Sequence, residues 1–437
     1  MTTTTSTRAE ADSVPRLVAS PFLAQHLLLR PGRASGVRIP EARYEELATA
    51  VREGLPVPAW VADAAGQAWG MDVPACPAGD VLLVRERSAY GYARASWEIN
   101  LGCDYDCDFC YLPDKVFAGL RWEGKQRLLR VMQKAGVLWL QITGGEALID
   151  KQFAAAYVYA HQLGMMVQVS TNGSSLRKPP IRDLFARHRP YRLTVSVYGA
   201  TAETYDRVTK NRGAFGRWIT GLDAAREDGL PVRLNVIVSD DNAHEVDAMA
   251  ALAASYGFHH EVFTNMSPTI DGGANPLASQ SLADLKPRSV FTGCNAGRTF
   301  FHVNPHGVAS VCKVGRDPNV NLVTEGVDAL TRLGVIAESL QLRTGGCSGC
   351  TKVGACRTCR PLATSTRRRG TVESSTVNME VTDHDSAHRN ARPDVSARAG
   401  YHRPTSHRAG RRPARTAPSR DDRGRRVPDH RRPGHGR

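Results

Sequence analysis

The sequence predicts an α/β fold: a partial (β/α)6 TIM-like barrel between a small N-terminal α/β domain and a Cys-rich C-terminal domain. From residue 92 to about residue 270, short apolar runs alternate with amphipathic helical stretches. The apolar runs are nearly continuous, which is typical of parallel strands that helices cover on both sheet faces. Most of the ten cysteines form two groups, one at the start of this alternation and one after it.

The N-terminal region predicts a disordered start followed by a small domain. Residues 1–17 are Thr-rich at first and contain no long apolar run, so we expect disorder there. Within residues 18–91, helical periodicity occurs over 44–54 and 59–70, and the apolar run 81–86 predicts a strand. These elements predict a domain of helices with one or two short strands.

The barrel region, residues 92–270, predicts six strands with helices between them. In such barrels the chemistry lies at the C-terminal ends of the strands, and polar motifs follow several of the predicted ends. The predicted strands cover residues 95–102, 137–143, 165–171, 191–199, 232–238 and 259–266, and the clearest helices cover residues 120–136, 151–164, 215–229 and 244–257.

Beyond the barrel, residues 285–363 are rich in Gly and Cys, and residues 364–437 lack apolar periodicity. The last segment holds 18 Arg, no Lys and 8 Asp or Glu, so it carries +10 of the net charge of +14. The rest of the chain is only mildly basic, which argues against nucleic acid as a partner of the folded body. We therefore predict a Cys-rich domain followed by a disordered Arg-rich tail.

The sequence shows no sign of a membrane or a secretory route. No apolar run approaches the roughly 18 residues that span a bilayer. The N-terminus lacks the basic start and apolar run of a secretory signal, so we expect a cytoplasmic protein with no membrane partner. Disulfides are disfavoured in that compartment, and grouped cysteines there indicate metal binding. Cys76 stands alone, and we assign it no role.

The first cysteine group follows the first predicted strand. Cys103, Cys107 and Cys110 have the spacing C-x3-C-x2-C. Three thiolates on one loop can hold three irons of a [4Fe–4S] cluster, which leaves the fourth iron open to a small molecule. The alternatives are unrelated thiols or a zinc site, although structural zinc usually has four protein ligands.

Polar residues follow the next three predicted strands. Gly144, Gly145 and Glu146 end the second strand, where glycines let the backbone approach a ligand and a carboxylate can accept hydrogen bonds from an ammonium group. Their alternative is a β-turn before a helix, and the later residues are equally typical of turn caps. The later candidates, suited to a ribose or a carboxylate, are Ser170, Thr171, Asn172, Ser196 and, more weakly, Asn235.

Together, the cysteine spacing, Phe109 before the last cysteine, and the Gly-Gly-Glu sequence one βα unit later resemble the signature of the radical S-adenosylmethionine (SAM) superfamily. The resemblance implies a [4Fe–4S] cluster whose open iron chelates SAM, with Gly144–Glu146 holding the SAM amino group. It also implies that an electron from the cluster splits SAM into methionine and a 5′-deoxyadenosyl radical.

The second cysteine group is larger and more scattered. A Gly-x4-Cys unit ends at Cys312, and two C-x2-C units follow. This pattern resembles the SPASM extension of radical SAM peptide maturases, which implies auxiliary iron–sulfur clusters; a zinc ribbon is the alternative. By this resemblance, one cluster uses Cys294, Cys312 and Cys359, and the other uses Cys347, Cys350 and Cys356.

Two departures from the SPASM pattern stand out. The spacing between Cys356 and Cys359 is one residue short of the commonest form, and no cysteine follows Cys359 to complete the second cluster. The resemblance stops abruptly at Ala363, and we hypothesise a frameshift near residues 364–366. The alternative is a genuine Arg-rich arm that binds polyanions through phosphates.

The resemblance to SPASM proteins implies an enzyme that abstracts hydrogen from a ribosomally made peptide, with flavodoxin or ferredoxin as a reducing partner. The domain at residues 18–91 would then be a candidate for recognising a leader peptide, or a scaffold that packs on the barrel. Two alternatives stay open: a radical SAM enzyme acting on a small molecule or sugar, and a non-catalytic metal-binding regulator whose basic tail binds nucleic acid.

Overall fold

The computed structural model describes residues 14–287, 289–341, 357 and 359. The predicted tail and three candidate ligands of the second group, Cys347, Cys350 and Cys356, lie outside the described residues. Within the described ranges, none of the helices has the length and apolar character needed to cross a membrane.

The N-terminal region forms a four-stranded sheet covered by two helices. In the strand order β3-β2-β1-β4, the pairs β1–β2 and β2–β3 are antiparallel and β4 is parallel to β1. Both helices end at a glycine in the left-handed conformation, which satisfies terminal carbonyl groups. The elements are β1 Leu17–Phe22, β2 Gln25–Leu29, β3 Gly36–Ile39, α1 Glu41–Glu53, α2 Ala59–Trp69 and β4 Leu82–Val84.

This domain differs from its prediction in two respects. It contains four strands instead of one or two, because β1, β2 and β3 are too short and mixed in sequence to stand out from loops. The boundary at residue 17 is also wrong, since Leu17 begins β1 and is fully buried beside Leu28 and Leu47. Burial of these aliphatic side chains supplies the core that a disordered segment would lack.

A nine-stranded sheet forms the body of the protein, in the order β10-β9-β8-β7-β6-β5-β11-β12-β13, where the last three strands are Phe300–Val303, Val308–Ser310 and Val320–Asn321. Strands β5 to β10 are all parallel and follow one another in sequence order, which confirms the predicted partial barrel. The strands are β5 Arg94–Glu98, β6 Trp139–Thr143, β7 Met166–Thr171, β8 Arg192–Val197, β9 Val232–Ile237 and β10 His259–Phe263, and the helices between them are α3 Trp122–Lys134, α4 Phe153–Gln162, α5 Pro179–Arg187, α6 Ala202–Thr209, α7 Ala214–Glu227 and α8 Val246–Ser255.

The barrel strands alternate more strictly than their sequences suggested. In β8, Leu193, Val195 and Val197 are fully buried, whereas Thr194 and Ser196 point to the other face. Strand β9 repeats the pattern, and its Asn235 lies on the same polar face as Ser196. The prediction of nearly continuous apolar strands is therefore wrong in detail: one face packs under helices, and the other lines a polar interior.

The C-terminal segment continues the barrel sheet instead of forming a separate layer. Strand β11 pairs in parallel with β5, and Phe301 and Val303 share one apolar core with Trp97. The predicted boundary of a distinct domain at residue 285 therefore does not separate two cores in the described residues. The later elements are α9 Asn275–Ala278, β11 Phe300–Val303, β12 Val308–Ser310, β13 Val320–Asn321, α10 Leu322–Glu325 and α11 Ala329–Gln341.

Candidate functional site

A cavity of about 450 Å³ opens at the C-terminal ends of the parallel strands. Its wall includes the last residues of four strands: Thr143 of β6, Thr171 of β7, Ile237 of β9 and Phe263 of β10. This is the edge at which the sequence predicted the chemistry. The three cysteines of the first group, Cys103, Cys107 and Cys110, all line the same cavity.

The cysteines belong to the long loop between β5 and α3, which neighbouring loops hold in place. Asp104 is the main anchor, because its carboxylate accepts hydrogen bonds from Asn172 Nδ2 at 2.6 Å and Ser174 Oγ at 3.0 Å. Its backbone carbonyl accepts a third from Asn211 Nδ2 at 2.6 Å. Within the loop, the Cys110 N–H donates to the Cys107 carbonyl at 3.1 Å. The loop is therefore fixed by side chains that follow β7 and α6.

The cysteine thiols lie in a poorly solvated environment. Burial raises the pKa of Cys103 to about 12 and the pKa of Cys107 well above its usual value, and the neighbouring thiols of the loop add to both shifts. Such thiols stay protonated unless a cation offsets the cost of the thiolate. Iron is a cation of this kind, so the donor set fits a metal-bound state.

The arrangement favours a cluster over a single ion. Among the described residues, no three His, Cys, Asp or Glu side chains surround one point closely enough to hold a single metal ion. A cube-shaped cluster has a different requirement, since each thiolate binds its own iron at a separate corner. Three thiols that line one cavity can meet that requirement, whereas a closed structural zinc site has four protein ligands.

The Gly-Gly turn lies against the start of the cysteine loop. Gly144 has a φ of 150°, and a Cβ atom on it would lie 2.3 Å from the Asn100 carbonyl oxygen. A Cβ on Gly145 would lie 2.2 Å from the Gly102 carbonyl oxygen. Both glycines also line the cavity. The turn therefore requires glycine for its contact with the chain itself, in addition to any approach to a ligand.

Glu146 lies behind the cavity wall. Its carboxylate is fully buried and accepts hydrogen bonds from the Asn172 N–H at 2.6 Å, Thr171 Oγ1 at 2.7 Å and the Leu148 N–H at 2.9 Å. Burial raises its pKa to about 7 against the opposing effect of these hydrogen bonds. The side chain thus joins the end of β6 to the end of β7, and it is not among the cavity-lining residues.

The other predicted contact residues, Ser170, Asn172, Ser196 and Asn235, line the cavity together. Ser170 Oγ accepts a hydrogen bond from Gln141 Nε2 at 2.7 Å. The amide of Asn172 is engaged on both sides, by Asp104 and by the Ser174 N–H. The barrel interior thus presents polar groups from β6 to β9 around the space below the cysteine loop.

Sequence reasoning missed a buried charged cluster beside the cavity. Glu98, at the end of β5, accepts two hydrogen bonds from Arg316 at 2.8 and 3.0 Å and one from Tyr111 Oη at 2.9 Å. His302 Nε2 lies 3.3 Å from the same carboxylate. Burial alone would raise the pKa of Glu98, but contacts with His302 and Arg316 outweigh it and hold that pKa far below its usual range. In the sequence, the presence of Glu98 within a largely apolar predicted strand could have indicated such a buried charged group.

Part of the second cysteine group lies in the described residues. Cys312 follows β12, and its Sγ accepts a hydrogen bond from the Gly315 N–H at 3.2 Å. Burial raises the pKa of Cys312, and the proximity of Cys359 and Cys294 raises it further. Cys294 and Cys359, which are predicted to share one auxiliary cluster with Cys312, therefore each lie close enough to Cys312 to affect its pKa.

Residues 97–253 match the radical SAM superfamily. The cysteine loop, the Gly-Gly turn and strands β6 to β9 all lie inside this match. The fold and the site thus define a radical SAM domain, and the superfamily predicted from the two motifs is confirmed. Domains of this superfamily use a [4Fe–4S] cluster and SAM.

Three curated proteins are similar to parts of this chain. The AdoMet-dependent heme synthase of Methanosarcina barkeri is 30% identical over 37% of this chain and 47% of that protein. Mycofactocin maturase MftC of Mycobacterium ulcerans is 27% identical over 51% of this chain and 63% of that protein. The PqqA peptide cyclase of Xanthomonas campestris pv. campestris is 28% identical over 37% of this chain and 43% of that protein. The chain spans about half the length of these relatives.

Among solved structures, SuiB of Streptococcus suis bound to its precursor peptide SuiA superposes with a TM-score of 0.56. The alignment covers 83% of this chain and 99% of that chain, with 13% sequence identity. At this identity the likeness concerns the fold alone.

Proposed function

We propose that this chain is a radical SAM enzyme that abstracts hydrogen from a ribosomally synthesised peptide. The observation that carries the proposal is the convergence of Cys103, Cys107 and Cys110 on one cavity at the C-terminal ends of parallel strands. When bound there, a reduced [4Fe–4S] cluster supplies the electron that splits SAM into methionine and a 5′-deoxyadenosyl radical.

The residues of the chain would hold and shield the reactants. Cys103, Cys107 and Cys110 would each bind one iron, which leaves one corner for SAM. The backbone of Gly144–Gly145 and the polar side chains of the barrel interior would orient SAM beneath the loop. Phe263 and Ile270 also line the cavity, and their apolar side chains would reduce access of water to a radical. No acid or base is needed for hydrogen abstraction itself.

The peptide class of substrate rests on the relatives and on the N-terminal domain. The relatives include the PqqA peptide cyclase and a mycofactocin maturase, and SuiB was solved with a precursor peptide. In this chain, β3 is an edge strand of the N-terminal sheet and can accept an extended segment. We propose that residues 18–91 recognise the leader part of the peptide.

Further parts of the proposal concern the second cysteine group and the cellular setting. Cys294, Cys312 and Cys359 would hold one auxiliary iron–sulfur cluster, and Cys347, Cys350 and Cys356 would contribute to another. Flavodoxin or ferredoxin would supply electrons in the cytoplasm. The grouping of Cys312 with Cys294 and Cys359 supports the first auxiliary cluster.

The test is reconstitution of the purified chain with iron and sulfide under anaerobic conditions. We expect a brown protein that releases 5′-deoxyadenosine when given SAM and dithionite. Cys107→Ala should lose this activity, whereas Cys76→Ala, which changes a thiol of the N-terminal core, should retain it. Equal release by Cys107→Ala and the wild type would refute the proposal.

The substrate class is tested separately with peptides encoded beside the gene. A mass change in such a peptide that depends on SAM supports peptide modification. Modification of a tetrapyrrole or sugar in place of any peptide would favour the small-molecule alternative, and colourless protein that binds only zinc would favour the regulator.

A further inference from the structure

Lys313 places an ammonium group in the cavity wall, and the proposed function gives it no role. It follows Cys312 in the segment between β12 and β13 and is partly buried. Its Nζ lies 3.4 Å from the centroid of the Tyr111 ring, as in a cation–π contact. Within the part of the chain that the structure describes, no oxygen atom accepts a hydrogen bond from Nζ.

The second lysine of the cavity wall differs in this respect. Lys115 Nζ donates to the Leu112 carbonyl at 2.8 Å and lies 3.6 Å from Asp106. No Asp or Glu appears among the described residues that line the cavity. The wall therefore carries two cations and no carboxylate, and Lys313 is the one with all three donors unused.

The nearest buried carboxylate, that of Glu98, attracts Lys313 through its charge but accepts no hydrogen bond from it. Glu98 is bonded by both nitrogens of Arg316 and by Tyr111 Oη. Its charge is therefore largely balanced by Arg316 and the nearby His302, while the Lys313 ammonium lies over the ring of Tyr111. An ammonium group withdrawn from water without a hydrogen-bonded anionic partner is costly. An anion entering the cavity would remove that cost.

The buried charged group formed by Glu98, Tyr111 and Arg316 also fixes the position of Lys313. Tyr111 is adjacent to Cys110, and its hydroxyl donates to Glu98 at 2.9 Å and lies 3.2 Å from the Gly144 carbonyl. The Arg316 Nε donates to the Lys313 carbonyl at 2.9 Å, so the backbone of Lys313 is held as well. The ammonium is thus presented to the cavity from a rigid support close to the cysteine loop.

We propose that Lys313 binds a carboxylate group of a molecule held in this cavity. The inference rests on the proposed function, which places two sources of a carboxylate there: SAM, and an acidic side chain or C-terminus of the substrate. An ammonium–carboxylate hydrogen bond is charge-assisted and is stronger where it is shielded from bulk water. Lys313 is a binding residue and takes no part in bond breaking.

The first arm of the experiment measures binding to the reconstituted protein without reductant, so that nothing is turned over. Dissociation constants are measured for S-adenosylhomocysteine and for its decarboxylated analogue. If SAM supplies the carboxylate, Lys313→Met raises the dissociation constant of S-adenosylhomocysteine by about tenfold or more and leaves that of the decarboxylated analogue unchanged. Lys313→Arg should recover most of the loss.

The second arm tests the substrate as source. Saturation-transfer NMR compares N-acetylglutamate amide with N-acetylglutamine amide on the protein loaded with SAM. If the substrate supplies the carboxylate, Lys313→Met removes binding of the glutamate probe and does not change the glutamine probe. Lys286→Met is the matched control, because this exposed lysine donates to the Val262 carbonyl outside the cavity.

One set of results overturns the proposal. The proposal is wrong if Lys313→Met keeps the iron absorbance and melting temperature of the wild type and binds every probe with a dissociation constant within twofold of the wild-type value. Failure of the wild type to bind S-adenosylhomocysteine would count against the proposed function instead. In that case the glutamate probe, applied without SAM, still decides whether Lys313 binds a carboxylate.

Discussion

The two cysteine groups differ in how the chain holds them. Cys103, Cys107 and Cys110 lie in one loop at the end of β5, and hydrogen bonds to Asp104 from two later loops fix that loop. The described cysteines of the second group come from separate segments, and Cys294 is exposed. The first site is built by the barrel, whereas the second draws on the segment that β11 and β12 attach to the barrel.

This difference indicates that the two cysteine groups have different roles. A loop pinned at the active edge of a parallel sheet can position a reactive group with respect to other strand ends. A site assembled from distant segments depends on each of them being in place. The segments that carry the two sites are joined at Glu98. This residue belongs to β5, and its carboxylate pairs with Arg316, which follows Cys312 in the chain. We therefore expect their disruption to have separable effects.

The largest expected effect is on SAM cleavage. Cys110→Ala should lower the rate of 5′-deoxyadenosine release by about 1,000-fold or more, since one iron loses its only protein ligand. Cys312→Ala should retain cleavage within about threefold while the iron content of the reconstituted protein falls. Rates from single time courses and iron per chain measure the two effects. Equal losses of cleavage in both variants would contradict this difference in roles.

The next effect concerns the link between the two regions. Glu98→Ala leaves Arg316 and the Tyr111 hydroxyl without their acceptor in a buried site, which should lower the free energy of unfolding by about 3–5 kcal/mol. Asp223→Ala removes an exposed ion pair with Arg226 and should cost less than about 1 kcal/mol. Urea denaturation of the iron-loaded protein measures both. A Glu98→Ala loss no larger than that of Asp223→Ala would show that the link is not structural.

The order of the barrel strands could be predicted because βα units join neighbouring parallel strands through local sequence. The attachment of β11 to β5 could not, since about two hundred residues separate the paired strands and no local pattern encodes the pairing. The N-terminal strands were missed for another reason. A strand such as β3, only four residues long and half exposed, has too little alternation to detect.

The site shows the same limit. The cysteine loop and the Gly-Gly turn have fixed spacings in the sequence, and the structure brings them together at one cavity. Glu98, Tyr111 and Arg316 come together only after folding, and the available sequence signal was the glutamate within the largely apolar strand predicted at β5. The carboxylate of Glu146 was predicted to face a ligand, but its three protein donors are supplied by backbone and side chains that only the fold places nearby.

Two buried histidines extend the comparison of the two regions. His302, in β11, has Ser96 Oγ at 2.8 Å and Glu98 nearby, whereas neither ring nitrogen of His161, in α4, has a hydrogen-bond partner in the described residues. Burial, with a smaller contribution from His188, lowers the pKa of His161 to about 3.

His161 should therefore make the fold sensitive to acid. Its folded pKa lies below the unfolded value of about 6.5, so the unfolded chain binds more protons between these values and stability falls as the pH drops through that window. Between pH 7.5 and 4.5 the loss due to His161 is about 3 kcal/mol. His161→Leu should reduce the pH dependence of the unfolding free energy by that amount. His306→Leu, at an exposed turn, is the control substitution against which the change in pH dependence is compared.

The smallest expected effect tests how tightly the first site is built. A Cβ on Gly145 would lie 2.2 Å from the Gly102 carbonyl oxygen, and backbone cannot yield as a flexible side chain does. Gly145→Ala should therefore lower the unfolding free energy by about 2 kcal/mol. Gly66→Ala is the matched control, since no atom lies within 4 Å of its added Cβ and alanine favours the helix α2. Because Gly145 contacts the residue before Cys103, its substitution should also weaken iron retention, whereas a stability loss with normal iron retention would separate the Gly-Gly turn from the cysteine loop.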